Sequence, residues 1–150
     1  MTFYEILVII HIFSAILGLG PGFVMIYIVT KSKTMAELRH AFFIRNRIHH
    51  FVMIGGMSLL VTGLLMGILN PVLFKAGWYL TSLTLYLIAL AAGPFILRPI
   101  ARPINEILEN HQGEEIPDHY FPHAKRLFFH ERILNTIFII IIALMILKPF

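Results

Sequence analysis

The 150-residue sequence contains no cysteine. That absence excludes disulfides, iron–sulfur clusters, thiolate-bound metals and covalently attached c-type haem. Charge is also scarce: 13% of residues are charged and 58% are hydrophobic, whereas a water-soluble domain carries roughly a quarter charged. Acids are the scarcest, eight in all. Glu5 and Glu131 alone lie beside apolar runs, so no carboxylate pair or triad for hydrolysis is expected within one. A phosphate-cradling glycine loop is missing too, because "GLGPG" (18–22) sits inside an apolar run and not between a strand and a helix.

What the sequence does contain is four long apolar runs, Ile6–Val29, Phe51–Leu69, Trp78–Leu97 and Ile133–Leu147. About 20 helical residues cross roughly 30 Å of hydrocarbon. The last run is short, but Lys148 can snorkel and Phe150 can settle at the interface. The expectation is an all-α four-transmembrane-helix bundle, one integral membrane domain over 1–150, with spans at about 6–29, 51–69, 78–97 and 133–147. The first run reads as an anchor and not a cleaved leader, since Glu5 stands where a basic region would be.

The net charge of +4 does not indicate nucleic acid. Lys31, Lys33, Arg39, Arg45 and Arg47 fall in the connection 30–50, and Arg98, Arg102, Lys125, Arg126 and Arg132 in the connection 98–132. Positive charge marks the cytoplasmic side. Both loops are therefore expected in the cytoplasm and both termini outside the cytoplasmic membrane.

These loops have their own helical signals. Thr34 and Glu37 have capping-box spacing, and no Gly or Pro follows until Gly55, so one helix should run from about Met35 to Leu69. Pro103 and Gly113 bracket a short amphipathic helix with Ile104, Ile107 and Leu108 on one face, expected flat on the inner leaflet. The last helix should begin near His123. The pairs "LGLGPGF"/"LAAGPFI" and "RHAFFIRNRIHHF"/"PHAKRLFFHERIL" form a weak internal echo, which a duplication or recurrent membrane-flank chemistry can produce.

At about 100° per residue, Tyr4, His11, Ala15, Gly18 and Gly22 share a stripe on the first span. On the second helix His49, Gly56 and Gly63 repeat the pattern. Small residues let membrane helices approach closely, or they leave room for a flat apolar cofactor. Both readings stay open for Gly18, Gly22 and Gly63. An imidazole inside an apolar run needs a partner and is a functional candidate by default. His11 can be a hydrogen-bonded neutral histidine, a metal or haem ligand, or a proton relay.

Depth restricts its partners. Met66 and Met145 lie at the level of His11 and could ligate a haem opposite it. His49, His50 and His130 lie near the basic boundary and could share a second, metal-binding site. Arg45 and Arg47, with Lys125, Arg126 and Arg132, suit propionates or other anions there. A stripe of His49, Met53 and Met57 suits copper(I).

The segments "HIFSAILGLGPGF", "ELRHAFFIRNRIHHFVMIGG" and "VTGLLMGIL" resemble a family of small bacterial integral membrane proteins of unknown function. More distantly, the first-span histidine followed by small residues is similar to two groups, the membrane-bound four-helix protoporphyrinogen oxidases and the copper-resistance D-like proteins. The former resemblance implies haem b on His11. That group also uses a lysine in a later span, which this chain lacks. The leading expectation is a b-type haem protein in electron transfer, quinone-linked redox or haem sensing, with a quinone or redox protein as partner; any catalysis would be that of a haem-dependent membrane oxidoreductase. The alternatives are a cofactor-free scaffold and a copper or small-molecule permeation protein, with homo-oligomers admitted.

Overall fold

A computed structural model describes residues 1–150, and every regular element in it is a helix. Helix α1 spans Phe3–Leu19, α2 Gly22–Thr30, α3 Met35–Leu69, α4 Gly77–Ala92, α5 Arg98–Asn110 and α6 Tyr120–Leu147, with a short 3-10 turn at Pro71–Lys75. Four helical segments are long and apolar enough to cross a membrane: Phe3–Thr30, Met35–Leu69, Gly77–Asn110 and Tyr120–Leu147. Ile9, Ile12, Phe13 and Ile16 of α1 lie exposed on the bundle's outside, as lipid-facing side chains do.

Two of these segments are interrupted at Gly-Pro pairs. Gly20–Pro21 separates α1 from α2. At Gly93–Pro94 the chain instead passes through a π turn, Gly93–Leu97, closed by the Arg98 N–H on the Gly93 carbonyl. Pro94 has no N–H to give the helix, and widening the turn absorbs the loss.

Helix α3 runs as one rod from Met35 to Leu69, as the absence of breakers predicts. Its N-cap differs in detail. Thr34 accepts from Glu37 N at 3.2 Å, while the Glu37 carboxylate takes Lys33 N and not Thr34 N. The fuller capping box is on α1, where Thr2 and Glu5 exchange both bonds. Helix α6 starts at Tyr120, three residues before the expected position, because Tyr120 N bonds to Pro117 O and Pro122 fits a first turn, where its missing N–H has no helical partner to lose.

The amphipathic helix corrects the expectation of an element lying on the leaflet. Its helix already begins at Arg98, with Pro103 in its interior. Ile104 is fully buried and Ile107 nearly so, in a core with Leu38, Phe42, Leu127 and Phe128. The long α3 and α6 both project past the Gly-Pro level, and the apolar surface they expose there is covered by α5 and not by lipid. Arg39 of α3 fastens the end of α5, donating to the Leu108 and His111 carbonyls, where a cation also favours the negative helix end. Ile104→Ala should therefore destabilise the protein by about 2–5 kcal/mol, measured by thermal unfolding in detergent; a helix resting on lipid would show almost no change.

Helix α1 packs most extensively on α3. A Cβ on Gly18 would stand 2.7 Å from Gly56 N and 2.8 Å from the Gly55 carbonyl carbon. Helix α4 is tied to α3 by tyrosines, Tyr79 Oη donating to Gly63 O at 2.9 Å and Tyr86 Oη to Gly56 O at 2.7 Å. The long side chains span the gap and leave space between the helices.

Candidate functional site

That space is a cavity of about 450 Å³ in the half of the bundle nearest the chain termini, enclosed by α1, α3, α4 and α6. Small-molecule and cofactor pockets run roughly 300–1,000 Å³. Its walls include Ala15, Leu19, Leu59, Gly63, Tyr86 and Ile141, with His11 the one imidazole. Tyr79 near the start of α4 and Ile146 near the end of α6 form its upper edge. Ile12, Ile16, Ile142 and Ile146 line it while also being exposed on the outer surface, so the cavity opens sideways toward lipid.

The placement of His11 follows from three α1–α3 pairings one helical turn apart. Gly18 lies against Gly55, Ser14 Oγ donates to Ser58 Oγ at 2.8 Å, and His11 Nδ1 meets Thr62 Oγ1 at 2.8 Å. Thr62 Oγ1 also lies 2.7 Å from the Ser58 carbonyl, and a threonine hydroxyl has one proton, which it gives back to its own helix. It can then only accept from His11. In this arrangement Nδ1 carries the hydrogen toward Thr62, and Nε2 is the ring nitrogen not used in that bond.

The bare wall beside the histidine has two causes at two depths. At Gly63 a Cβ would stand 3.3 Å from His11 Cε1, so glycine makes room for the imidazole itself. At Gly18 the missing side chain is replaced by the backbone of α3, so this glycine serves helix contact. Gly22 faces Asn135, whose amide donates to the Gly22 carbonyl at 3.2 Å. Gly18 and Gly22 line a second, smaller cavity and not the one that holds His11.

Of the two methionines considered opposite His11, Met145 lines its cavity. Met66 is buried but does not.

The second cavity, about 160 Å³, lies toward the basic end, with Tyr86 and Leu19 shared between the two. Arg45, His49, Met53, Glu131 and Asn135 line it. Arg45 and Glu131 form an ion pair whose side chains are 14% and 10% exposed. Arg45 is therefore committed to a carboxylate and is not free for propionates, and Glu131 is buried where the sequence placed it at an interface. Arg47 lies over the Phe43 ring at 5.1 Å on the outside.

The structure does not draw His49, His50 and His130 together. His50 Nδ1 bonds to Asn46 O and His130 Nδ1 to Arg126 O, each one turn back on its own helix. No three His, Asp or Glu side chains converge on a metal-sized point. The methionine stripe divides as well: His49 and Met53 line the lower cavity and Met57 does not, though both methionines are exposed on the outside.

Sequence reasoning missed Thr62 as the partner of His11, the two tyrosine ties and the Arg45–Glu131 pair. Ser82 is a further buried hydroxyl in the upper wall, with no hydrogen-bond partner. The spacing of Gly55, Ser58 and Thr62 on one face of α3 held the first signal. The others depend on helix order around the bundle.

A family model described as "Predicted integral membrane protein (DUF2269)" matches residues 5–149. No curated protein and no solved structure gives a significant match.

Proposed function

This chain belongs to the DUF2269 family of predicted integral membrane proteins, and we propose that it is a b-type haem protein whose iron is held by His11. The observation that carries the reading is the Ser58–Thr62–His11 chain of hydrogen bonds. It fixes through Nδ1 the ring of a histidine that lines a cofactor-sized apolar cavity. An oriented ring with its second nitrogen bound is the arrangement that ligating histidines need. Met145, a thioether in the same cavity, would be the second residue to hold the haem, whereas Met66 does not line it. The donor set, the apolar walls and the sideways opening all suit a flat, poorly soluble macrocycle arriving from lipid.

Haem held in this way would supply one-electron transfer. The chain's part is to fix the ligand's tautomer, exclude water and keep the site apart from the ion pair below it. This makes electron transfer, including quinone-linked transfer, or haem sensing the role we favour. No lysine lines the cavity, so we do not extend the proposal to protoporphyrinogen oxidation. In the same proposal the termini lie outside the cytoplasmic membrane and the two long connections in the cytoplasm, a reading supported by the distribution of Lys and Arg.

Haem titration of the detergent-solubilised protein tests the reading. Wild type should develop a Soret band at one equivalent, and His11→Ala should not. Thr62→Val, which keeps the shape but removes the acceptor, should weaken haem binding about 10–100-fold. Met145→Leu should alter the reduced spectrum while Met66→Leu leaves it unchanged. Equal haem binding by wild type and His11→Ala would contradict the assignment.

A further inference from the structure

A third cavity, of about 440 Å³, lies at the basic end between the close of α2 and the first turns of α6. Its apolar lining includes Val29, Tyr120 and Phe128, and Thr30 contributes a hydroxyl. Lys125 and Arg132 stand over it. They are seven residues apart, hence two turns apart on one face of α6. None of the chain's eight acidic side chains lines the cavity.

Of the cations near this end, Lys33 and Arg126 lack a salt bridge but do not line the groove. Arg45 is paired with Glu131, Arg102 with Glu106, and Arg39 is held by the carbonyls that end α5. Lys125 and Arg132 are exposed and have no salt-bridge partner. Two unpaired charges above an apolar floor, at the helix ends of a membrane bundle, match a ligand with a negative head and a hydrocarbon body. Basic pockets between membrane helices bind phospholipid head groups for this reason.

We infer that this groove is a specific site for an anionic phospholipid, its phosphate held between Lys125 and Arg132 and its acyl chain laid along Phe128 and Val29. Phosphatidylcholine carries its own ammonium and would lose this advantage. Inorganic phosphate has no chain to cover the floor.

The test is native mass spectrometry of the purified full chain released from mixed micelles holding equal amounts of dioleoylphosphatidylglycerol and dioleoylphosphatidylcholine. Wild type should retain the anionic lipid about tenfold over the zwitterionic one. Lys125→Gln with Arg132→Gln should reduce the ratio to near one. The exchange Lys125→Arg with Arg132→Lys should preserve it, and so should Lys33→Gln with Arg126→Gln, cations that do not line the groove. Helical circular dichroism identifies any variant that fails to fold.

Equal retention of the two lipids by wild type would overturn the inference. So would an equal loss in the Lys33/Arg126 variant, which would indicate a diffuse basic surface. Displacement of the lipid by millimolar inorganic phosphate would also overturn it, by showing a small-anion site. The readout does not depend on haem.

Discussion

Gly55→Val should leave little folded protein, and Gly18→Ala should lower the melting temperature steeply. At the α1–α3 crossing a Cβ on either glycine meets main chain and not a movable side chain: Gly56 N and the Gly55 carbonyl carbon for Gly18, and Gly18 N for Gly55. The collision can be relieved only by parting the two helices. That separation would also stretch the Ser14–Ser58 and His11–Thr62 bonds on the same interface. Overpacking of this kind costs about 3 kcal/mol, or roughly 6–12 °C in a chain of this size. Gly93→Ala supplies the comparison, because nothing beyond its chain neighbours lies within 4 Å of a Cβ there. It should lower the melting temperature far less, its Cβ crowding only the ring of Pro94 that follows it in helical backbone. Fluorescence-detected thermal unfolding in detergent measures all three.

The second large effect is expected at the ion pair. Arg45→Met alone should destabilise the protein by about 3–5 kcal/mol, because it leaves the Glu131 carboxylate buried without its partner. Glu131→Leu alone should do similar damage by stranding the guanidinium. The double variant Arg45→Met/Glu131→Leu should recover most of the loss, since an apolar pair of similar bulk removes both desolvation costs. A double-mutant cycle read by thermal unfolding would show strong coupling. Near-additive single effects would mean that the two side chains do not depend on each other.

The legible parts of the fold were those that a single helix decides. The rod Met35–Leu69 follows from a capping threonine and the lack of a breaker, and the four membrane segments follow from apolar length. The apolar face of α5 was equally plain in Ile104 and Ile107, but what covers that face was not. A face matches lipid and protein alike, and only the reach of α3 and α6 past the Gly-Pro level decides between them. The same holds for the site. His11 stood out as an imidazole in an apolar run, and its glycine neighbour Gly63 was found by periodicity.

Thr62 was not singled out by the sequence, because its role depends on register between α1 and α3. Glu131 looked interfacial by its position in the chain, yet Arg45 reaches it across the bundle. His50 and His130 shared a level along the helices, but each bonds to the backbone of its own helix and not to the other. Depth is nearly linear in sequence, whereas azimuth depends on partners.

We propose that His11 holds a haem. The most direct measurement is a reduced-minus-oxidised absorbance spectrum of wild type and His11→Ala, each purified in mild detergent from haem-supplied cells. Wild type should show a Soret band with sharpened α and β bands on reduction, absent from a folded His11→Ala protein. A folded wild type with no visible absorbance, or a His11→Ala spectrum equal to it, would contradict the claim.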